Sequence, residues 1–148
     1  MLKHFSATVY VVSIIDNQPK VLLHLHKKHN AWYGLGGHVE ENEDPASAAI
    51  REAQEEANIT VTLIPPHTLI HTKYADEMIA PFLMFDQNID NDHRHMDCIY
   101  VGTTADVPQM NEPFKWVSES ELTTMDLQED TRYIAKKAIK YFNNAHST

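Results

Sequence analysis

The chain has 148 residues and a mass of 17.0 kDa, so residues 1–148 are expected to form a single domain at the usual ~100–200 residues per domain. Hydrophobic residues make up 43% and charged residues 22%, which excludes disordered and fibrous compositions. Lys and Arg number 12 against 21 Asp and Glu, a net charge of −9, the wrong sign for holding a nucleic-acid polymer.

Cys98 is the single cysteine, so neither an intrachain disulfide nor a thiolate metal cluster can form, and a reducing, cytoplasmic compartment is expected. The apolar run Ala7–Ile15 is too short for a membrane span, which takes ~20 residues. It reads as a buried first strand, and Asp16-Asn17-Gln18-Pro19 as the turn after it. Lys20–His26 alternates Val21, Leu23 and Leu25 with Leu22, His24 and His26, the period of a second strand and the return arm of a hairpin. Asn30–His38 holds three of the four glycines and is expected to be a loop with a special backbone.

From Asp44 to Ala57 the pattern turns helical, with Asp44 as N-cap, Pro45 in the first turn and Asn58 as a left-handed stop. Ile59–Ile64 returns to period two and ends at Pro65-Pro66. Leu69–Phe85 mixes strand and loop features, and Asp86–Asp92 reads as a polar connector. Met96–Thr103 and Phe114–Val117 follow as strands, Ser118 caps a short helical turn, and Asp126–Asn143 carries the amphipathic spacing of a closing helix. Intermixed strands and helices place the chain in the layered α/β class.

Chemistry concentrates on Gly37, Glu43, Arg51, Glu52, Glu55 and Glu56. At about 100° per residue, Glu52, Glu55 and Glu56 share an arc of about 100° beside the alanine stripe expected to be buried. Like charges at these spacings repel, and Arg51 alone cannot neutralise three carboxylates. A hard divalent cation, Mg²⁺ or Mn²⁺, is the economical partner for such an oxygen set; the alternative is a solvated acidic helix face. Gly36-Gly37 lets the backbone approach a ligand or offer a carbonyl to a metal, where a side chain would obstruct.

The segment from Gly37 to Ile59, GHVEENEDPASAAIREAQEEANI, resembles the signature of the Nudix hydrolases. Gly37, Glu43, Arg51, Glu52, Glu55, Glu56 and Ile59 match it at the required spacing. Ala53 stands where a larger aliphatic residue is usual, Asn58 replaces Gly, and Leu35 replaces the Pro of the family's Trp-x-x-Pro-Gly-Gly flank. The resemblance implies an α/β/α sandwich around a mixed sheet, an α+β fold in the broad sense. It implies hydrolysis of a nucleoside diphosphate linked to another group, with Mg²⁺ or Mn²⁺ held by the Gly37 carbonyl, Glu52, Glu55 and Glu56. Glu52 would also orient or deprotonate water, and Arg51 and Glu43 would tie loop to helix. The partner implied is a small nucleotide or nucleotide-like diphosphate, and a homodimer is the assembly such proteins suggest. Two rivals stand beside this reading, a non-catalytic nucleotide sensor on the same fold and a metal-binding protein built on the ten histidines.

His93-Arg94-His95-Met96-Asp97 is similar to a stretch in one bacterial branch of the family. On a strand, His93, His95 and Asp97 point to one face, as metal ligand, phosphate contact or proton carrier; the alternative is a polar sheet face or subunit contact. Asp97 and Glu112 are the candidates for a distal carboxylate. Glu112 is favoured because it precedes Phe114–Leu122, which resembles the family's closing strand and turn. Trp32, His38, Arg94 and His95 are the candidates for substrate contact. His24, His26, His29, His67, His71 and His146 show no tight ligand spacing apart from the first two.

Overall fold

The computed structural model describes residues 2–108 and 113–147. Strand β1 (Leu2–Ile15) turns through Asp16 and Asn17, both at positive φ (53° and 66°), into β2 (Gln18–His26). Two consecutive left-handed residues twist with the flanking strands, and Asp and Asn tolerate that conformation best after Gly. The expected glycine loop is instead mostly extended, as β3 (Ala31–Tyr33) and β4 (Leu35–His38). No described glycine has positive φ, so these glycines serve close packing and not an unusual backbone.

Helix α1 (Pro45–Ala57) has the expected ends. Asp44 accepts from the Ser47 N–H, and Asn58 closes the last turn at φ 54°, ψ 42° with its N–H donated to the Gln54 carbonyl. The strand expected over Ile59–Ile64 shrinks to β5 (Thr62–Leu63). Side chains replace its ladder: Asp106 accepts the Thr60 N–H at 2.7 Å, and the Thr104 hydroxyl donates to the Thr60 carbonyl at 2.7 Å.

The expected connector Asp86–Asp92 is mostly strand, β6 (Leu83–Asp90), hydrogen-bonded to β7 (His93–Thr103). Then follow β8 (Phe114–Ser118), α2 (Glu119–Thr124) and α3 (Glu129–His146). A capping box starts α2, with the Ser118 hydroxyl accepting from the Glu121 N–H and the Glu121 side chain accepting from the Ser118 N–H.

The sheet runs β3-β2-β1-β7-β5, with β4 on β1, β6 on β7 and β8 on β2. Its β1–β7 pairing is parallel and the others antiparallel, the mixed sheet expected. Ala7, Val9 and Val11 of β1 bury against Ala48, Ala49 and Ala53 of α1. Tyr10 and Val12, on the opposite face, bury with Ile134, Ala138, Ile139 and Phe142 of α3. Helices thus cover both faces of one sheet. Near the start of β1, the face that carries Tyr10 turns polar at Thr8 and Ser6 and opens into a cavity.

Candidate active site

Local chain geometry builds the acidic half of the site. Residues 52, 55 and 56 lie on one side of α1, as the helical period requires, and that side meets β4. Glu56 Oε1 accepts the Gly36 N–H at 3.0 Å, and its other oxygen stands 3.3 Å from His24 Nδ1. Glu52 lies against Gly37, where a β-carbon would stand 2.4 Å from Glu52 Oε1. Arg51 holds both oxygens of Glu43, at 2.8 and 3.0 Å, and reaches Glu52 at 3.0 Å, Glu55 at 3.1 Å and the His38 carbonyl at 3.0 Å. One guanidinium therefore ties β4, the loop after it and the helix together.

The electrostatics follow from this crowding. Arg51 holds the Glu43 carboxyl below its ordinary range. Burial pushes Glu56 up to about 8, against the Gly36 hydrogen bond and with added repulsion from Glu52 and Glu55. A carboxyl that ionises this reluctantly beside two others is a place where positive charge is stabilising. Three neighbouring carboxylates are oxygen donors, and such donors fit a hard divalent cation.

On the other side of the glycines lies a cavity of about 360 Å³, lined by Gly36, Gly37, His38, His95 and Asp97 among others, large enough for a small ligand. Asp97 is buried and pushed up to about 6 by that burial, although the Thr8 and Ser6 hydroxyls donate to it at 2.9 and 3.0 Å. The parallel pairing explains the meeting: Ser6 lies opposite Asp97 in β7, and period two puts Thr8 on the same face. Sequence reasoning missed Ser6 and Thr8; their alternation with Ala7 and Val9 in an apolar run is the signal that marks them. Tyr33, His26 and His29 also line the cavity.

The other expected contacts are divided. His38 and His95 line the cavity, and Trp32 instead packs against the α3 side of the core. Arg94 points to the opposite face of the sheet, its Nε donating to Asp86 Oδ1 at 2.7 Å and its Nη2 to the Asp86 carbonyl at 3.1 Å. Glu112 lies outside the described residues.

The fold is shared with known proteins. The NUDIX domain model matches residues 4–142, so the chain belongs to the Nudix family, the class of hydrolases that its helix of glutamates against a double glycine defines. A Nudix-family hydrolase from Clostridium perfringens is 32% identical, with a TM-score of 0.78 over 96% of this chain and 99% of its own. An Ap4A hydrolase from C. elegans shares the fold at 19% identity and TM-score 0.68, covering 99% of this chain and 100% of its own. The Nudix domain of NrtR from Shewanella oneidensis, solved with ADP ribose, does so at 16% identity and TM-score 0.64, over 99% of this chain and 90% of its own. No curated protein matches the chain in sequence. Among the described residues, no helix is long and apolar enough to cross a membrane.

Proposed function

We propose that the protein hydrolyses a phosphoanhydride bond in a nucleoside diphosphate linked to another group, by attack of water at phosphorus. The observation that carries this reading is the packing of Glu52 against Gly37 and of Glu56 against Gly36, with Glu55 joined to Glu52 through Arg51, at the edge of a cavity large enough for a nucleotide portion. Glu52, Glu55, Glu56 and the Gly37 carbonyl are the groups to hold Mg²⁺ or Mn²⁺. Such an ion neutralises diphosphate oxygens and favours the leaving group.

The chain's own residues supply position and proton handling. Arg51 keeps Glu52 and Glu55 on the side of α1 that faces β4, and Glu52 is the group to orient water and take its proton. Asp97, buried in the cavity and raised to about 6, stands ready as a second acid or base near neutral pH. The C. elegans and Shewanella relatives make dinucleoside polyphosphates and ADP-ribose the first compounds to try.

The test is release of phosphate or nucleoside monophosphate from a panel of dinucleoside polyphosphates, nucleotide sugars, ADP-ribose and nucleoside triphosphates with Mg²⁺. Turnover that Glu55→Gln abolishes supports the reading. Tight binding of a nucleotide with no turnover of any member identifies a sensor module instead.

A further inference from the structure

Four histidines gather on the cavity face, away from the glutamates. The parallel register sets His4 opposite His95, and the antiparallel pairing of β1 with β4 sets Ser6 opposite His38. Period two then brings His4, His38, His93 and His95 to one side of three adjacent strands. The rings of His93 and His95 lie edge to face at 4.8 Å, as do those of His38 and His95 and those of His4 and His93.

The nitrogens converge more closely than the rings. His38 Nε2 and His95 Nε2 are 3.0 Å apart, and one coordinating nitrogen from each of His38, His93 and His95 lies within 4.8 Å of the other two. His93 Nε2 is buried and has no hydrogen-bond partner among the described residues. A buried ring nitrogen without a partner is costly, and a metal ion is one partner that could satisfy it. Three imidazole nitrogens about a tetrahedral zinc, with Zn–N near 2.0–2.1 Å, stand about 3.3 Å from one another. The present nitrogens, within 4.8 Å of one another, would have to draw inward by up to about 1.5 Å to reach that spacing.

The cavity also lacks positive charge. Its lining includes Asp97 and Asp130 but no Lys or Arg among the described residues, in a chain of net charge −9. An anionic ligand there requires a cation from elsewhere.

We propose that His38, His93 and His95 form a second metal site, for a zinc-class transition-metal ion, with its remaining coordination position open toward the cavity and His4 beside it. Imidazole ligands suit zinc, nickel or copper far better than magnesium, whereas the oxygen donors of the glutamates suit magnesium and manganese. The ion would place fixed positive charge beside Gly37 and Asp97, and would draw phosphate or carboxylate oxygens of a ligand to that wall. This inference does not depend on the protein being a hydrolase.

The test titrates the tag-free full chain with Zn²⁺ by calorimetry in a large excess of Mg²⁺, which occupies oxygen sites. One zinc per chain is expected. The His38→Ala/His95→Ala double variant is expected to lose at least about 100-fold in affinity, since losing even a hydrogen-bond partner of a ligand costs about 10–100-fold. Glu55→Gln and His67→Ala should retain the site. Co²⁺ gives a second readout: the visible absorption of a four-coordinate ion should appear in the parent and not in the double variant. Single His38→Gln and His95→Gln variants, checked by circular dichroism, cover the case in which the double variant does not fold. Absence of stoichiometric zinc in the parent overturns the proposal. Equal uptake by folded histidine variants, or loss of uptake in Glu55→Gln alone, overturns it too, since the ion then belongs elsewhere.

Discussion

Gly37 and Glu52 are packed so closely that the glycine Cα is effectively a wall for the carboxylate; a methyl group on it would stand 2.4 Å from Oε1 and 2.9 Å from Oε2. The clash falls on the end of a flexible side chain, so the fold can yield cheaply and the carboxylate cannot keep its place. Gly37→Ala is therefore expected to cost under about 1 kcal/mol of stability and about 100-fold in turnover. Gly36→Ala meets backbone, the Ala7 carbonyl at 2.4 Å, and should cost about 1–3 kcal/mol by overpacking. Paired denaturation and rate measurements on the two variants check this split; equal stability losses would contradict it.

Arg51 donates hydrogen bonds to three glutamates through a planar fork. Lysine carries the charge but cannot hold both oxygens of Glu43 while reaching Glu52 and Glu55. Arg51→Lys is expected to lower stability by about 1–2 kcal/mol, the scale of charge-assisted bonds lost in a half-buried setting. Urea denaturation with and without Mg²⁺ reads it, and Mg²⁺ should recover part of the loss in the variant.

The Glu55 side chain is 58% exposed and contacts Arg51 alone in this group. Glu55→Gln should leave the thermal midpoint nearly unchanged, within about 0.5 kcal/mol, and should reduce turnover by about 100-fold. The required Mg²⁺ concentration should rise. Unchanged turnover at saturating Mg²⁺ would remove Glu55 from the proposed ligand set.

The pH dependence has a defined sign. The Glu56 carboxyl is at about 8 in the folded chain against an ordinary 4.5, so between those values the folded chain keeps a proton that the unfolded chain releases. Stability falls as pH rises through that window, and the full penalty is present above about pH 8. Glu56→Gln cannot ionise but still accepts from Gly36. In metal-free buffer the thermal midpoint of the parent should drop more steeply between about pH 5 and pH 8 than that of the variant. Parallel curves would contradict the burial assigned to Glu56.

Helix α1 and its glutamates were legible in the amino-acid sequence because their determinants are local. Asp44, Pro45 and Asn58 mark the ends within one turn each, and helical period alone brings residues 52, 55 and 56 together. Strand β6 was not legible. Its outward residues are exposed along its length, so it carries little hydrophobic contrast, and pairing with β7 makes it a strand. The glycine segment is extended where an irregular loop is expected, because glycine concentration reports either freedom of φ or closeness of approach, and here it is closeness. The meeting of Ser6 and Thr8 with Asp97, about 90 positions away, depends on a strand register that no local spacing records.

That register also sets an order of events during synthesis. The first strand leaves the ribosome long before its parallel neighbour, and between Leu2 and Val11 its pairing with residues 93–102 must wait for nearly the whole intervening chain. Long-range parallel pairing is slow to form, and an unpaired apolar strand is prone to aggregate. The cavity therefore arises late, after the helix of glutamates has the local contacts to form, and nascent chains stalled before residue 93 would hold the acidic helix without the His95 and Asp97 that complete the cavity on the other face of the sheet.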